Sequence, residues 1–103
     1  MKNRLDKYVN TATPEAFDDP NAFQVRLAFG NHHELSIVKH KRSYGNKSGL
    51  YEIGVFVNGE FANMPGVTED RGTVKGFLSK DEVDGIIVKM FTITGKDPVQ
   101  ITG

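Results

Sequence analysis

Apolar and polar positions alternate without a break from Phe23 to Phe29: Phe23, Val25, Leu27 and Phe29 are separated by Gln24, Arg26 and Ala28. A period of two predicts a half-buried β-strand, because successive side chains on a strand point to opposite faces. Gly30-Asn31 marks a turn, and the next run puts Leu35 and Ile37 on odd numbers with Glu34 and Ser36 between. A two-residue loop would pair Phe29 with His32 and turn Leu35 and Ile37 outward. A loop of three or five residues keeps them on the same face as Val25 and Leu27, so an odd-length loop is expected. A third strand is predicted from Leu50 to Val57, again with its apolar residues Tyr51, Ile53, Val55 and Val57 on odd numbers. Asn58-Gly59 closes it as a type I′ hairpin, the turn that needs positive φ at both positions. That register sets Glu60 opposite Val57, Phe61 opposite Phe56 and Ala62 opposite Val55. Phe56 and Phe61 then meet on the face away from the core.

The period changes to that of a helix after Ser79. Ser79-Lys80-Asp81-Glu82 is a capping box, with Leu78 and Val83 placed as a hydrophobic staple. Val83, Ile86, Ile87, Met90 and Phe91 follow the i, i+3, i+4, i+7, i+8 spacing of an amphipathic helix, and Gly95 is a natural stop. Asp81, Glu82 and Asp84 in its first turns complement the positive end of the helix dipole. Residues 1–21 are polar and punctuated. Thr13-Pro14 has the form of a helix start, with Thr13 as cap and Pro14 at the first helical position, and Asp18-Asp19-Pro20-Asn21 stops it. A short N-terminal helical arm is expected, packing Leu5, Tyr8 or Phe17 on the body. Met64-Pro65-Gly66 ends the fourth run, a charged loop spans Val67 to Gly72, Thr73 to Phe77 is a candidate short strand, and Pro98 to Thr102 either adds an edge strand or trails. Strands first and a helix afterwards imply an α+β fold: a three- or four-stranded antiparallel meander with the C-terminal helix packed on its odd-numbered face.

Length and composition narrow this further. A chain of 103 residues is expected to form a single domain. Seven of the ten aromatic residues are phenylalanine, which has no polar tip to satisfy, so most should serve the core. The 13 basic residues balance 13 acidic ones, which argues against bulk electrostatic attraction to nucleic acid or to a membrane surface. The absence of cysteine removes disulfides and thiol chemistry and fits a reducing, cytoplasmic compartment. The first eight residues lack the apolar run of a signal peptide, no stretch reaches the roughly 18 apolar residues of a membrane span, and the Met1 start suits a small bacterial or phage-encoded reading frame.

The candidate chemistry is local. Between the second and third strands lies Lys39-His40-Lys41-Arg42-Ser43-Tyr44-Gly45-Asn46-Lys47-Ser48-Gly49, a basic, glycine-rich connection without an acidic residue. Lys39, Lys41, Arg42 and Lys47 are placed to neutralise phosphates while Tyr44 stacks on a base; the competing reading is a solvated hairpin tip. Gly45-Asn46-Lys47-Ser48-Gly49 is not a phosphate loop, because Asn46 stands where glycine must precede the lysine and a strand follows where a helix must start. His32-His33-Glu34 has metal-ligand residue types, but neighbours on an extended chain point opposite ways and leave too few convergent donors. Asp18-Asp19 and Glu69-Asp70 read as turn residues. No serine stands in a nucleophile elbow, and Ser79 is committed to capping. No cofactor or metal is expected.

The expected function is a non-catalytic binding or accessory protein acting through another protein or a second copy of itself. Lys39, Lys41, Arg42, Tyr44, Lys47, Phe56 and Phe61 are its candidate contact residues. Binding of nucleic acid through the basic connection is the alternative, and a small enzyme using His32, His33 or His40 comes third.

Overall fold

The computed structural model describes residues 3–41, 49–68 and 72–102. Strands β1 (Phe23–Phe29), β2 (His33–Lys39), β3 (Tyr51–Val57) and β4 (Glu60–Phe61) form the expected antiparallel meander. Two more strands join it. β5 (Val74–Leu78) pairs with β3 on the edge that it shares with β4, and β6 (Pro98–Gln100) pairs with β1 at the opposite edge. The sheet therefore has six strands among the described residues, in the order β4-β3-β2-β1-β6 with β5 beside β3, rather than three or four. The additional strands are short, and each pairs with a strand distant in sequence, so no turn residue announces its partner.

The two short hairpins keep the register that the alternation requires. Phe29 pairs with His33 across the three-residue loop 30–32, and Leu27 with Leu35. At the second hairpin Asn58 and Gly59 have φ of 53° and 83°, Phe56 pairs with Phe61, and the Ala62 N–H donates to Val55 O at 2.9 Å. Positive φ at both positions is the I′ geometry that matches the twist of the flanking strands.

The core lies on the odd-numbered face. Val25, Leu27, Phe29, Leu35, Ile37, Ile53 and Val55 are buried there together with Val83, Ile86, Ile87 and Met90 of helix α2 (Lys80–Thr94). Phe91 leaves the predicted stripe and is 44% exposed. At 100° per residue it stands about 80° round the helix from Val83, whereas Met90 stands within about 20°. The capping box is complete: Glu82 N–H donates to Ser79 Oγ at 3.1 Å, and Ser79 N–H donates to Glu82 Oε1 at 3.0 Å. Gly95 ends the helix at φ 69°, with its N–H on Phe91 O.

The N-terminal arm comprises a 3₁₀ turn (Arg4–Lys7) and helix α1 (Pro14–Phe17). Thr13 is the residue before α1, as expected, but its side chain makes no capping hydrogen bond, and Asp18 ends the helix at φ 52°. Leu5 is buried in the main core. Ion pairs hold the arm to the body: Arg4 with Asp84 at 3.0 Å, Asp6 with Lys80, and Asp18 with Lys41 at 2.8 Å. Val67, assigned to a charged loop by its neighbours, is fully buried, and the Thr68 hydroxyl accepts the Met64 N–H at 2.9 Å to close that turn.

Candidate functional site

The even-numbered face carries the residues that the strands do not give to the core. Register places Phe61, Phe56, Glu34, Ala28 and Val99 side by side in one row across β4, β3, β2, β1 and β6. The Phe56 and Phe61 rings lie 4.3 Å apart between centroids at an interplanar angle of 34°. Gly54 explains how Phe61 comes to lie over the sheet. A Cβ at Gly54 would stand 3.6 Å from Phe61 Cε1 and 3.4 Å from Val74 Cγ1, so the ring and the valine roof a position without a side chain. Phe61 nevertheless remains 61% exposed and Val99 66% exposed.

Two charges on this face, Arg26 and Glu34, satisfy each other. Arg26 Nε and Nη2 donate to Glu34 Oε2 and Oε1 at 2.8 and 3.0 Å, a two-point contact that holds the guanidinium pKa up. Glu34 is the direct neighbour of Phe56 on β2. With Ser36 and Gly54 in the adjoining row, the centre of the face is low and flat and its aromatic rise stands at the β3–β4 side. At that same edge Phe77 is 64% exposed with φ 59°, inside an irregularity of the β3–β5 pairing. An aromatic residue in the left-handed region costs about 1–3 kcal/mol of backbone strain.

The predicted contact residues do not come together. Phe56 and Phe61 form the patch described above. Lys39 lies on the other face, its Nζ 4.8 Å from the Tyr51 ring centroid, next to the edge-to-face contact of Phe23 with Tyr51. Lys41 is engaged by the arm: its Nζ reaches Asp18, and its N–H donates to Asp19 Oδ2 at 2.9 Å. Arg42, Tyr44 and Lys47 lie outside the described residues. Asp18 and Asp19 thus anchor the arm to the end of β2, beside the ring contact of Phe17 with His40 at 4.9 Å.

The residues weighed for chemistry have structural positions. His32 Nδ1 is 2.7 Å from Asn58 Oδ1, which ties the two hairpin loops together. His33 is the pairing partner of Phe29 and Val57. No three His, Cys, Asp or Glu side chains gather among the described residues. Ser79 Oγ accepts the helix N–H, and Ser36 lies mid-sheet opposite Arg26 and Gly54. Ala28, Val74 and Val99 were missed as members of the outer face. The signal for Ala28 was present, since the odd-length loop that aligns Leu27 with Leu35 also aligns Ala28 with Glu34.

No protein-family model, curated protein or solved structure matches this chain. No described helix is long and apolar enough to cross a membrane.

Proposed function

We propose that this protein is a non-catalytic binding module that docks on another protein through the even-numbered face of its sheet. One observation carries the reading: the row Phe61–Phe56–Glu34–Ala28–Val99 presents apolar side chains at both ends and a self-neutralised ion pair between, while α2 occupies the other face. Aromatic residues beside a flat, charge-compensated surface suit an interface centre, where aromatics are enriched and uncompensated charge is depleted. Strain kept at an exposed phenylalanine on the same edge supports the reading, because strained backbone tends to persist where function uses it. The engagement of Lys41 by Asp18 and Asp19 leaves fewer cations for a phosphate backbone, which is why the protein partner stands ahead of nucleic acid.

The test is affinity capture from host lysate with and without nuclease, comparing the native chain with Phe61→Asp and with Gln24→Ala as a control. A protein retained after nuclease treatment, lost with Phe61→Asp and kept with Gln24→Ala supports docking on this face. Capture that survives Phe61→Asp overturns it, and capture abolished by nuclease transfers the function to the basic connection. Sedimentation velocity distinguishes a second copy as the partner, since a concentration-dependent dimer would disappear with Phe61→Asp.

A further inference from the structure

A recess with a cavity volume of about 340 Å3 opens between the 3₁₀ turn, the outer flank of α2 and the start of β6. It lies at the sheet edge opposite Phe61, since β6 and β4 are the two ends of the strand order. Its size falls at the lower end of the roughly 300–1,000 Å3 typical of small-ligand sites. Tyr8, Val88, Phe91 and Pro98 supply most of its apolar wall, with Ile87 behind them. Val88 and Phe91 are apolar helix residues outside the core stripe, and both stay exposed. Apolar side chains there fill no core.

The rim adds charge: two cations, Arg4 and Lys7, against one carboxylate, Asp97. Arg4 gives one guanidinium nitrogen to Asp84 at 3.0 Å. Lys7 pairs with no carboxylate among the described residues, and its Nζ stands 5.7 Å from the Tyr8 ring centroid. The Tyr8 hydroxyl is shut off from water and has no hydrogen-bond partner among the described residues.

We infer that this recess binds a small amphipathic carboxylate, an aryl- or alkyl-substituted acid. The carboxylate sits against Lys7 and the remaining donors of Arg4, while the apolar body lies on Tyr8, Val88 and Phe91. Lys7, which pairs with no carboxylate among the described residues, favours an anionic head over an ammonium head, while Arg4, matched by Asp84, offers donors without net charge. The apolar wall favours a carbon body over a bare inorganic anion. Asp97 opposes the anion, so the charge contribution is small and most of the binding comes from the body. A ligand of a dozen heavy atoms with one half-exposed ion pair should bind with a dissociation constant of roughly 1 mM.

The experiment is a titration of the full chain, followed by backbone amide chemical shifts, with 4-phenylbutyrate and separately with its neutral amide. Saturable shifts centred on residues 4–8, 88–91 and 97–98 are expected, with the carboxylate binding about 2–5-fold more tightly than the amide, the range of an exposed ion pair. Lys7→Gln should bring the carboxylate down to the level of the amide and leave the amide unchanged. Phe91→Ser should weaken both. Unshifted amides in β1 to β3 report that each variant is folded. The inference is overturned by the absence of saturable shifts up to about 20 mM, well above the expected millimolar constant. Equal binding of the two probes with no response to Lys7→Gln also overturns it, as do shifts that map to Phe56 and Phe61 instead.

Discussion

On the odd-numbered face of the sheet, β1, β2 and β3 place Val25, Leu27, Phe29, Leu35, Ile37, Ile53 and Val55 under α2, and all of them are buried. On the even-numbered face the same strands place Gln24, Arg26, Ala28, Glu34, Ser36, Gly54 and Phe56. One face is a core, and the other is a surface on which the apolar side chains of Phe61 and Val99 stand in contact with solvent. The contrast teaches that alternation alone specifies the covered face, while the open face is free to carry whatever its partner requires. It also separates the energetic roles. Side chains on the first face hold the fold together, and those on the second can change with little loss of stability.

The largest expected effect breaks or upholds that division directly. Ile53 is fully buried at the centre of the odd-numbered face, paired with Ile37. Ile53→Ala removes buried methylenes and leaves a cavity, so chemical denaturation should show a loss of about 2–5 kcal/mol. Gln24→Ala, on the other face of β1, should stay within about 0.5 kcal/mol of the native chain. Equal effects would show that the two faces are not divided as described.

The cover of the first face depends on α2, and α2 depends on its cap. Ser79→Ala loses the hydroxyl that accepts the Glu82 N–H and should destabilise by about 1 kcal/mol, with Ser79→Gly milder. The other half of the box responds to pH. The Ser79 backbone N–H first, and its hydroxyl second, hold the Glu82 carboxyl below its ordinary range. A carboxyl with a depressed folded pKa stabilises the folded state above its unfolded pKa and loses that contribution as pH falls through the folded value. Unfolding measured from neutral to acid pH should therefore show a loss specific to the native box below the usual glutamate range, and Glu82→Gln should remove that portion of the pH dependence. A pH profile unchanged by Glu82→Gln would disconnect the carboxylate from the cap.

Phe61→Ala sharpens the comparison from the open face. It removes the ring that stacks on Phe56, worth about 0.5–1 kcal/mol, without opening a core cavity. A loss above about 2 kcal/mol would place Phe61 among the side chains that hold the fold and would take the patch away from a partner.

How much of this the sequence discloses follows the same division. The strands β1 to β4, the capping box and the Gly95 stop are legible because each depends on neighbours a few residues apart. The β1–β2 and β3–β4 registers follow from the three-residue loop and from Asn58-Gly59. The β2–β3 register, which brings Glu34 beside Phe56, spans the long connection from Lys39 to Leu50, and no local signal measures it. β5 and β6 are legible only as candidates, since pairing with β3 and β1 decides them. The aromatic pair was readable from turn chemistry. The engagement of Lys41 by Asp18 and Asp19 was not, because opposite charges 22 or 23 residues apart carry no periodicity.

The smallest effect concerns Phe77, where backbone and side chain pull in opposite directions. At φ 59° its Cβ crowds the backbone, at a cost of about 1–2 kcal/mol that glycine would not bear. Glycine brings its own penalty of roughly 0.5–1 kcal/mol in lost chain freedom. The ring is 64% exposed, so its removal gives up little burial. The balance predicts that Phe77→Gly raises stability by about 0.5 kcal/mol. Phe77→Ala separates the two contributions: it keeps the crowded Cβ and removes only the ring, so it should be neutral or slightly destabilising. If both variants destabilise equally, the ring contributes to the folded state and its strain is offset inside the molecule. If glycine stabilises and alanine does not, a more stable residue is available at this site than the exposed phenylalanine that occupies it.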